Sequence, residues 1–140
     1  MELTQCINYL LTTSQHAVSQ YLSSKLSEYD ITPSQYGVLN CLWEKEYTTP
    51  KKISEALCIE NSTISGILDR MQKKKLIDRV INKDDKREVK VFLTQKGILL
   101  KEPLSQIIND VNRVVLKDFS EEQIDILKEN LRTIARGNFE

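Results

Sequence analysis

Cysteine, proline, glycine, histidine and aromatic side chains are all scarce in this chain, and each shortage closes off a class of protein. Three cysteines, Cys6, Cys41 and Cys58, stand in no C-x-x-C spacing, so they offer neither a disulfide framework nor thiolates converging on zinc. Reduced thiols are expected. Four glycines and three prolines exclude collagen-like and loop-rich scaffolds. No apolar run reaches the roughly 18–20 residues that cross a bilayer, and Met1-Glu2-Leu3-Thr4-Gln5 lacks a basic segment leading into an apolar block. A cytoplasmic protein with no membrane contact is the expectation. With one histidine, no G-x-S-x-G, no phosphate-binding glycine loop and no paired carboxylates in a recognisable setting, nothing supplies a nucleophile and base. The chain is not read as an enzyme, and no metal or cofactor is expected.

What is present is the composition of one folded domain: 140 residues, 40% hydrophobic and 29% charged. Net charge is zero, yet residues 61–96 hold ten Lys/Arg against five Asp/Glu, leaving ten against fifteen elsewhere. Such asymmetry fits one face built to meet an anion, with a solvated helix face as the plain alternative.

Hydrophobic spacing orders the chain as four helices, two strands and two helices. Leu3, Ile7, Leu10, Leu11, Val18, Leu22, Leu26 and Tyr29 recur at three- and four-residue steps, predicting one amphipathic helix over Leu3–Tyr29. Thr32-Pro33-Ser34-Gln35 is a capping box with proline at the first helical position, opening a helix to about Lys45. Thr49-Pro50 starts a short helix to about Leu57, and Asn61 is read as the cap of another, with Ile64, Ile67, Leu68 and Met71 inward, to about Lys74. These two short helices have the dimensions of a helix-turn-helix. Ile77–Ile81 and Val89–Leu93 are β-branched runs predicting a hairpin with a charged tip. Thr94 is read as capping a helix to about Lys117, bent by Pro103. Ser120-Glu121-Glu122-Gln123 opens a last one, with Ile124, Leu127, Leu131 and Ile134 inward and Gly137 beyond its end.

The fold class is therefore mainly α with a small β-hairpin. A single domain spans 1–140, with a winged helix-turn-helix at 33–94 between long terminal helices at 1–30 and 95–140. Those terminal helices carry apolar stripes too extensive for so small a domain, and burial against a second copy makes a twofold homodimer the expectation. A monomeric bundle of the first, fifth and sixth helices is the alternative.

In a helix-turn-helix the second helix lies in the major groove, its first residues at base edges and its cations near phosphates. Asn61, Ser62, Thr63 and Ser65 are short polar candidates for that approach. Arg70, Lys73, Lys74 and Lys75 follow as phosphate contacts. Lys83-Asp84-Asp85-Lys86-Arg87 at a ribbon tip projects a guanidinium toward a narrow minor groove, with Asp85 placed to orient Arg87. Caps and a solvated turn are the bland readings of these same residues.

The run Asn61-Ser62-Thr63-Ile64-Ser65-Gly66-Ile67-Leu68-Asp69-Arg70, with Lys73-Lys74-Lys75-Leu76-Ile77-Asp78-Arg79, Asp84-Asp85-Lys86-Arg87-Glu88-Val89 and Leu93-Thr94-Gln95-Lys96-Gly97, resembles the recognition helix, wing and fifth-helix start of the MarR family of winged-helix transcription regulators. Ile31-Thr32-Pro33-Ser34-Gln35-Tyr36-Gly37-Val38-Leu39 resembles that family's second helix. The resemblance implies a DNA-binding dimer on a pseudo-palindromic operator, usually a repressor, released by a small aromatic ligand. It puts Ser62, Thr63 and Ser65 at the major groove, Arg70 at the backbone, and Arg87, braced by Asp85, in the minor groove. Lys75 replaces a common glycine, and at a left-handed site a lysine would cost about 1 kcal/mol. Asn82 and Lys86 replace commoner Asp and Arg.

One branch of the family, typified by OhrR and SarZ, senses oxidants through a first-helix cysteine, and Glu28-Tyr29-Asp30-Ile31-Thr32 is similar to it. Counted back from Ile31, the reactive position falls on Asn8, two residues after Cys6. Cys6 is the candidate redox residue, with an inert interface thiol as its alternative. Cys41 reads as core, Cys58 as a partly exposed turn residue, and His16 as lying toward the polar side of the first helix. Tyr9, Tyr21, Tyr29, Tyr36 and Trp43 are candidates for a ligand crevice or for core. A different class of function, a winged helix meeting an acidic protein partner, uses the same basic face.

Overall fold

A computed structural model of the chain describes residues 1–81, 83–84 and 88–140. Seven α-helices and a two-stranded antiparallel sheet are present among them: α1 Ile7–Leu26, α2 Pro33–Trp43, α3 Pro50–Leu57, α4 Asn61–Lys73, β1 Ile77–Ile81, β2 Val89–Leu93, α5 Gln95–Leu99, α6 Lys101–Val115 and α7 Glu121–Ala135. Mainly helical with one hairpin, this is the predicted fold class.

Side-chain caps set the helix starts. Thr32 and Ser120 each accept from the amide three residues on, at 3.1 and 3.2 Å, while Gln35 and Gln123 reach back to the cap amide. Thr49 and Thr94 cap α3 and α5 through their hydroxyls. Three of the helix exits follow one device. Asp30, Cys58 and Lys75 have φ of 56°, 54° and 61°, and each following amide reaches back five residues: Ile31 to Leu26 (3.4 Å), Ile59 to Ser54 (3.1 Å) and Leu76 to Met71 (3.0 Å). Ile31 and Leu76 are then buried, as the apolar residue after a left-handed cap usually is. Lys75→Gly is expected to raise the unfolding free energy by about 0.5–1 kcal/mol, the left-handed strain relieved less the added freedom of the unfolded chain. Urea unfolding at fixed protein concentration checks this.

Three boundaries differ from the sequence expectation. The first helix is broken at Cys6, whose extended backbone (φ −77°, ψ 123°) separates a 3-10 turn at Leu3–Gln5 from α1; a second 3-10 turn, Ser27–Tyr29, follows α1. The fifth predicted helix is two, divided at Leu100. Pro103 has no N–H to offer Leu99, so the ladder is interrupted there rather than merely bent. Thr48 adds an unpredicted rung, pairing with Val91 through bonds of 2.9 and 2.7 Å beside the Ile77↔Leu93 to Ile81↔Val89 register.

The core gathers Leu26, Val38, Leu39 and Leu42 against Ile53, Ile64, Leu68 and Met71, with Leu76, Ile77, Val91 and Leu104 closing it. Each such side chain contributes about 1.5–3 kcal/mol, so the central winged unit is held by burial. The terminal segments differ. The α1 helix packs on α6, but α7 has no buried residue. Of its expected inward positions, Ile124 is half-buried while Leu127, Leu131 and Ile134 are exposed. Within one chain, α7 does not bury its apolar stripe as a third member of a bundle with α1 and α6.

Candidate nucleic-acid interface

The turn between α3 and α4 is short because it is tied to itself: Ser54 Oγ donates to the Ile59 carbonyl at 2.7 Å, and the Ile59 amide returns to Ser54 O. This brings the chain into helical dihedrals at Asn61. Asn61 is thus the first residue of α4 rather than its cap; Glu60 holds the cap position with no side-chain hydrogen bond. Ile64, Ile67, Leu68 and Met71 face the core as predicted, and Asn61, Ser62, Thr63, Ser65, Arg70 and Lys73 are all exposed. A Cβ added at Gly66 would lie 3.5 Å from Arg70 Nη1, so the guanidinium lies back along the helix over Gly66.

A cleft of about 760 Å³ runs between the start of α3, the start of α4 and the foot of β2; Lys51 and Lys52 line it together with Thr49, Asn61 and Ser65, and so do the carboxylates Glu55 and Glu88. Lys51 and Lys52 are exposed there. Sequence reasoning passed over both, although a signal existed: cations in a first helical turn meet the positive end of the helix dipole, so two of them there suggest an external anion.

The outer side of α4 is fastened to β1. Arg79 Nη2 meets Asp69 Oδ1 at 2.6 Å and Arg79 Nε donates to Gln72 Oε1 at 2.7 Å, while Gln72 Nε2 donates to Asp78 Oδ1 at 3.2 Å. With Asp69 58% exposed, such a pair contributes at most about 1 kcal/mol. Its consequence is orientation, holding the hairpin at a fixed angle to α4. Lys83 is exposed at the start of the connection. Asp85, Lys86 and Arg87, and Asn82 with them, lie outside the described residues, so the Asp85–Arg87 pairing stays a sequence expectation.

Of the predicted phosphate contacts after α4, Lys74 is placed otherwise. Its ammonium lies 2.6 Å from Asp30 O and 3.0 Å from Gln35 Oε1, engaged by the protein itself. The signal was out of reach, because both partners lie about forty residues upstream.

The thiols occupy three settings. Cys6 is half-buried at the start of α1, and Cys58 is exposed in its left-handed turn. Cys41 is half-buried, and burial pushes its thiol pKa up against a smaller opposing effect of Lys45, leaving it a poor nucleophile at neutral pH. Asn8 and His16 are exposed. Of the candidate crevice aromatics, Tyr36 and Trp43 meet edge to face at 5.8 Å against the core, with Trp43 Nε1 donating to Gly97 O at 2.9 Å. Tyr21 lies beneath Lys25 Nζ at 5.3 Å, and Tyr29 is exposed.

Known proteins share this arrangement. The sequence pattern of the MarR family matches residues 31–89. Over 134 residues the chain is 34% identical to the organic hydroperoxide resistance transcriptional regulator of Bacillus subtilis (strain 168), covering 96% of this chain and 90% of that protein. It is 27% identical to the HTH-type transcriptional regulator SarZ of Staphylococcus aureus (strain USA300), covering 99% and 92%. Among solved structures, the S. aureus MepR–DNA complex is similar with a TM-score of 0.85 at 29% identity, over 94% of this chain and 98% of that one. A mutant MarR from E. coli complexed with operator DNA also gives 0.85, at 26% identity, over 91% and 92%.

Proposed function

Because the chain belongs to the MarR family of transcriptional regulators, we propose that it binds duplex DNA as a homodimer and represses transcription at a pseudo-palindromic operator. The observation that carries this reading is the outer face of α4. Its short polar residues Asn61, Ser62, Thr63 and Ser65 are all exposed, beside a cleft that Lys51 and Lys52 line. In this reading α4 enters the major groove and Thr63 and Ser65 meet base edges. Lys51, Lys52, Arg70, Lys73 and Lys83 neutralise phosphates, and Lys86 and Arg87, with Asp85 beside them, reach the minor groove. The winged unit is 33–94, and 1–30 with 95–140 form the dimer. That relatives with this fold bind operator DNA favours DNA over an acidic protein partner.

Fluorescence anisotropy on a duplex of the gene's own upstream region, at two salt concentrations, tests it. Affinity should fall steeply with salt and discriminate sequence; flat or sequence-blind binding would sink the reading. Arg87→Ala should weaken binding and reduce the salt slope by roughly one. Thr63→Ala and Ser65→Ala should instead change the ranking of operators, and three unchanged affinities would refute the groove assignment.

For release from DNA, the relative named for organic hydroperoxide resistance favours oxidation at Cys6 over a small aromatic ligand. The thiolate attacks one peroxide oxygen, the O–O bond breaks, and a sulfenic acid remains as the alkoxide takes a solvent proton and leaves as alcohol. Loss of binding after stoichiometric hydroperoxide, reversed by thiol and absent in Cys6→Ser, is the expected result. Unchanged binding would assign release to a ligand.

A further inference from the structure

The exit of α4 is gripped from two sides, by the two limbs that lead to the terminal helices. On the first side stands Lys74, whose side chain is only 28% exposed. Its ammonium donates to the carbonyl of Asp30, the left-handed residue between α1 and α2, at 2.6 Å, with Asp30 Oδ2 at 3.5 Å. It also donates at 3.0 Å to Gln35 Oε1, an oxygen of a nearly buried side chain that already accepts from the Thr32 amide. On the second side, Thr94 Oγ1 donates to Lys75 O at 2.6 Å and Leu76 O at 3.1 Å, and Lys96 Nζ donates to Lys74 O at 3.0 Å. The carbonyls of the three residues that follow α4, Lys74, Lys75 and Leu76, are thereby taken by the cap and first turn of α5, which leads into α6.

A lysine serving phosphate leaves its ammonium free for the ligand. This one already meets three acceptor atoms on the α1–α2 corner, Asp30 O, Asp30 Oδ2 and Gln35 Oε1, in charge-assisted bonds stronger than neutral ones. We propose that Lys74 is a positioning residue for DNA recognition: it pins the exit of α4 to the α1–α2 corner and so sets the spacing of half-sites that a dimer accepts. The leverage is geometric. The thirteen residues of α4 span about 20 Å at 1.5 Å per residue, so a tilt of about 10° at the pinned end moves the other by about 3.4 Å, one base step. The proposal rests on the dimeric DNA-binding reading above.

The test compares Lys74→Met, which keeps the apolar stem, with Lys73→Met, which removes an exposed cation one residue away. Each is titrated against operators whose half-sites are one base pair closer, unchanged, or one base pair further apart. Wild type should discriminate by about tenfold or more, the scale of a misplaced base contact, and Lys74→Met by less than about threefold with its salt slope intact. Lys73→Met should keep the spacing preference and lose roughly one unit of slope. Lys74→Arg, which retains donors to Asp30 and Gln35, should restore discrimination. If Lys74→Met behaves like Lys73→Met, Lys74 is a phosphate contact and the proposal is overturned; if it behaves like wild type, the pin has no effect and the proposal is likewise overturned.

Should wild type bind no duplex, the DNA-binding reading fails, and the pin is then judged without DNA. Nitroxides at Ser14→Cys on α1 and Ser62→Cys on α4, in a Cys6→Ser, Cys41→Ala, Cys58→Ser background diluted with unlabelled protein, report the angle within one protomer. A distance distribution broadened by Lys74→Met upholds the pin, and one left unchanged refutes it. Where Lys74→Met does not fold, Lys74→Gln carries both measurements.

Discussion

Gly97→Ala is expected to lower the unfolding free energy by about 3 kcal/mol, near the upper end of the range for overpacking a close contact. A Cβ at Gly97 would stand 2.3 Å from the Leu76 carbonyl oxygen and 3.0 Å from Leu93 Cδ2. The carbonyl has no freedom to retreat, since it accepts from both the amide and the hydroxyl of Thr94 at 3.1 Å. Nor can α5 withdraw, because Trp43 Nε1 holds the Gly97 carbonyl from its other side. Relief at one contact therefore breaks another. The remaining helical glycines calibrate the result. At Gly37 the nearest atoms are Leu57 methyls at 3.0 and 3.1 Å, the mobile end of a side chain, so alanine there should cost less. At Gly66 only the Arg70 guanidinium lies near, and alanine should gain up to about 1 kcal/mol from helix propensity. Urea unfolding at one protein concentration measures all three. A Gly97→Ala midpoint equal to wild type would mean that α5 does not bear on Leu76 as described.

This contact also marks the limit of what the sequence tells. Thr32-Gln35 and Ser120-Gln123 are legible because a capping box is complete within four residues, and the strand runs because β-branched side chains repeat locally. The strand bounds match those observed. Thr94 is readable as a cap for the same reason. That its hydroxyl also spans Lys75 O and Leu76 O, that Lys74 bonds to Asp30, and that Thr48 joins Val91 are all pairings across the fold, for which no local pattern exists. Asn61 shows local preference overruled: asparagine favours a cap, but the tied turn at Ser54 and Ile59 delivers it one position later. At the candidate site the exposed face of α4 was legible because its apolar residues fix the opposite face. Lys51 and Lys52 were not, because their relevance depends on which cleft α3 borders. For Lys75 the resemblance marked a common glycine position and left its handedness open; the observed φ is 61°.

If the chain forms the homodimer proposed above, Leu131→Glu is expected to convert it from dimer to monomer and to weaken operator binding by roughly 10²–10⁴-fold, the gain that linking two binding units confers. An isolated helix as short as α7 is marginal in water, yet α7 is regular over Glu121–Ala135 with no residue buried in its own chain. Leu127, Leu131 and Ile134 stand 36%, 42% and 37% exposed at helical spacing along one side. Phe119 and Phe139 flank them, and Leu3, Ile7 and Leu10 are exposed at the other terminus. Apolar surface is concentrated toward both ends of the chain, with Tyr47, Val80 and Ile81 exposed on the winged unit between them, and that concentration is what a dimer seam leaves when one copy is viewed alone. A carboxylate at Leu131 would enter that seam without a partner, and its desolvation exceeds what one leucine contributes. Asp125→Ala, on the far side of α7, should change neither quantity. Sedimentation velocity at micromolar concentration reads the mass and anisotropy reads the affinity. A Leu131→Glu protein that remains dimeric would place the seam elsewhere, whereas a monomer with undiminished affinity would show that one winged unit suffices and that operator symmetry is not what the dimer reads.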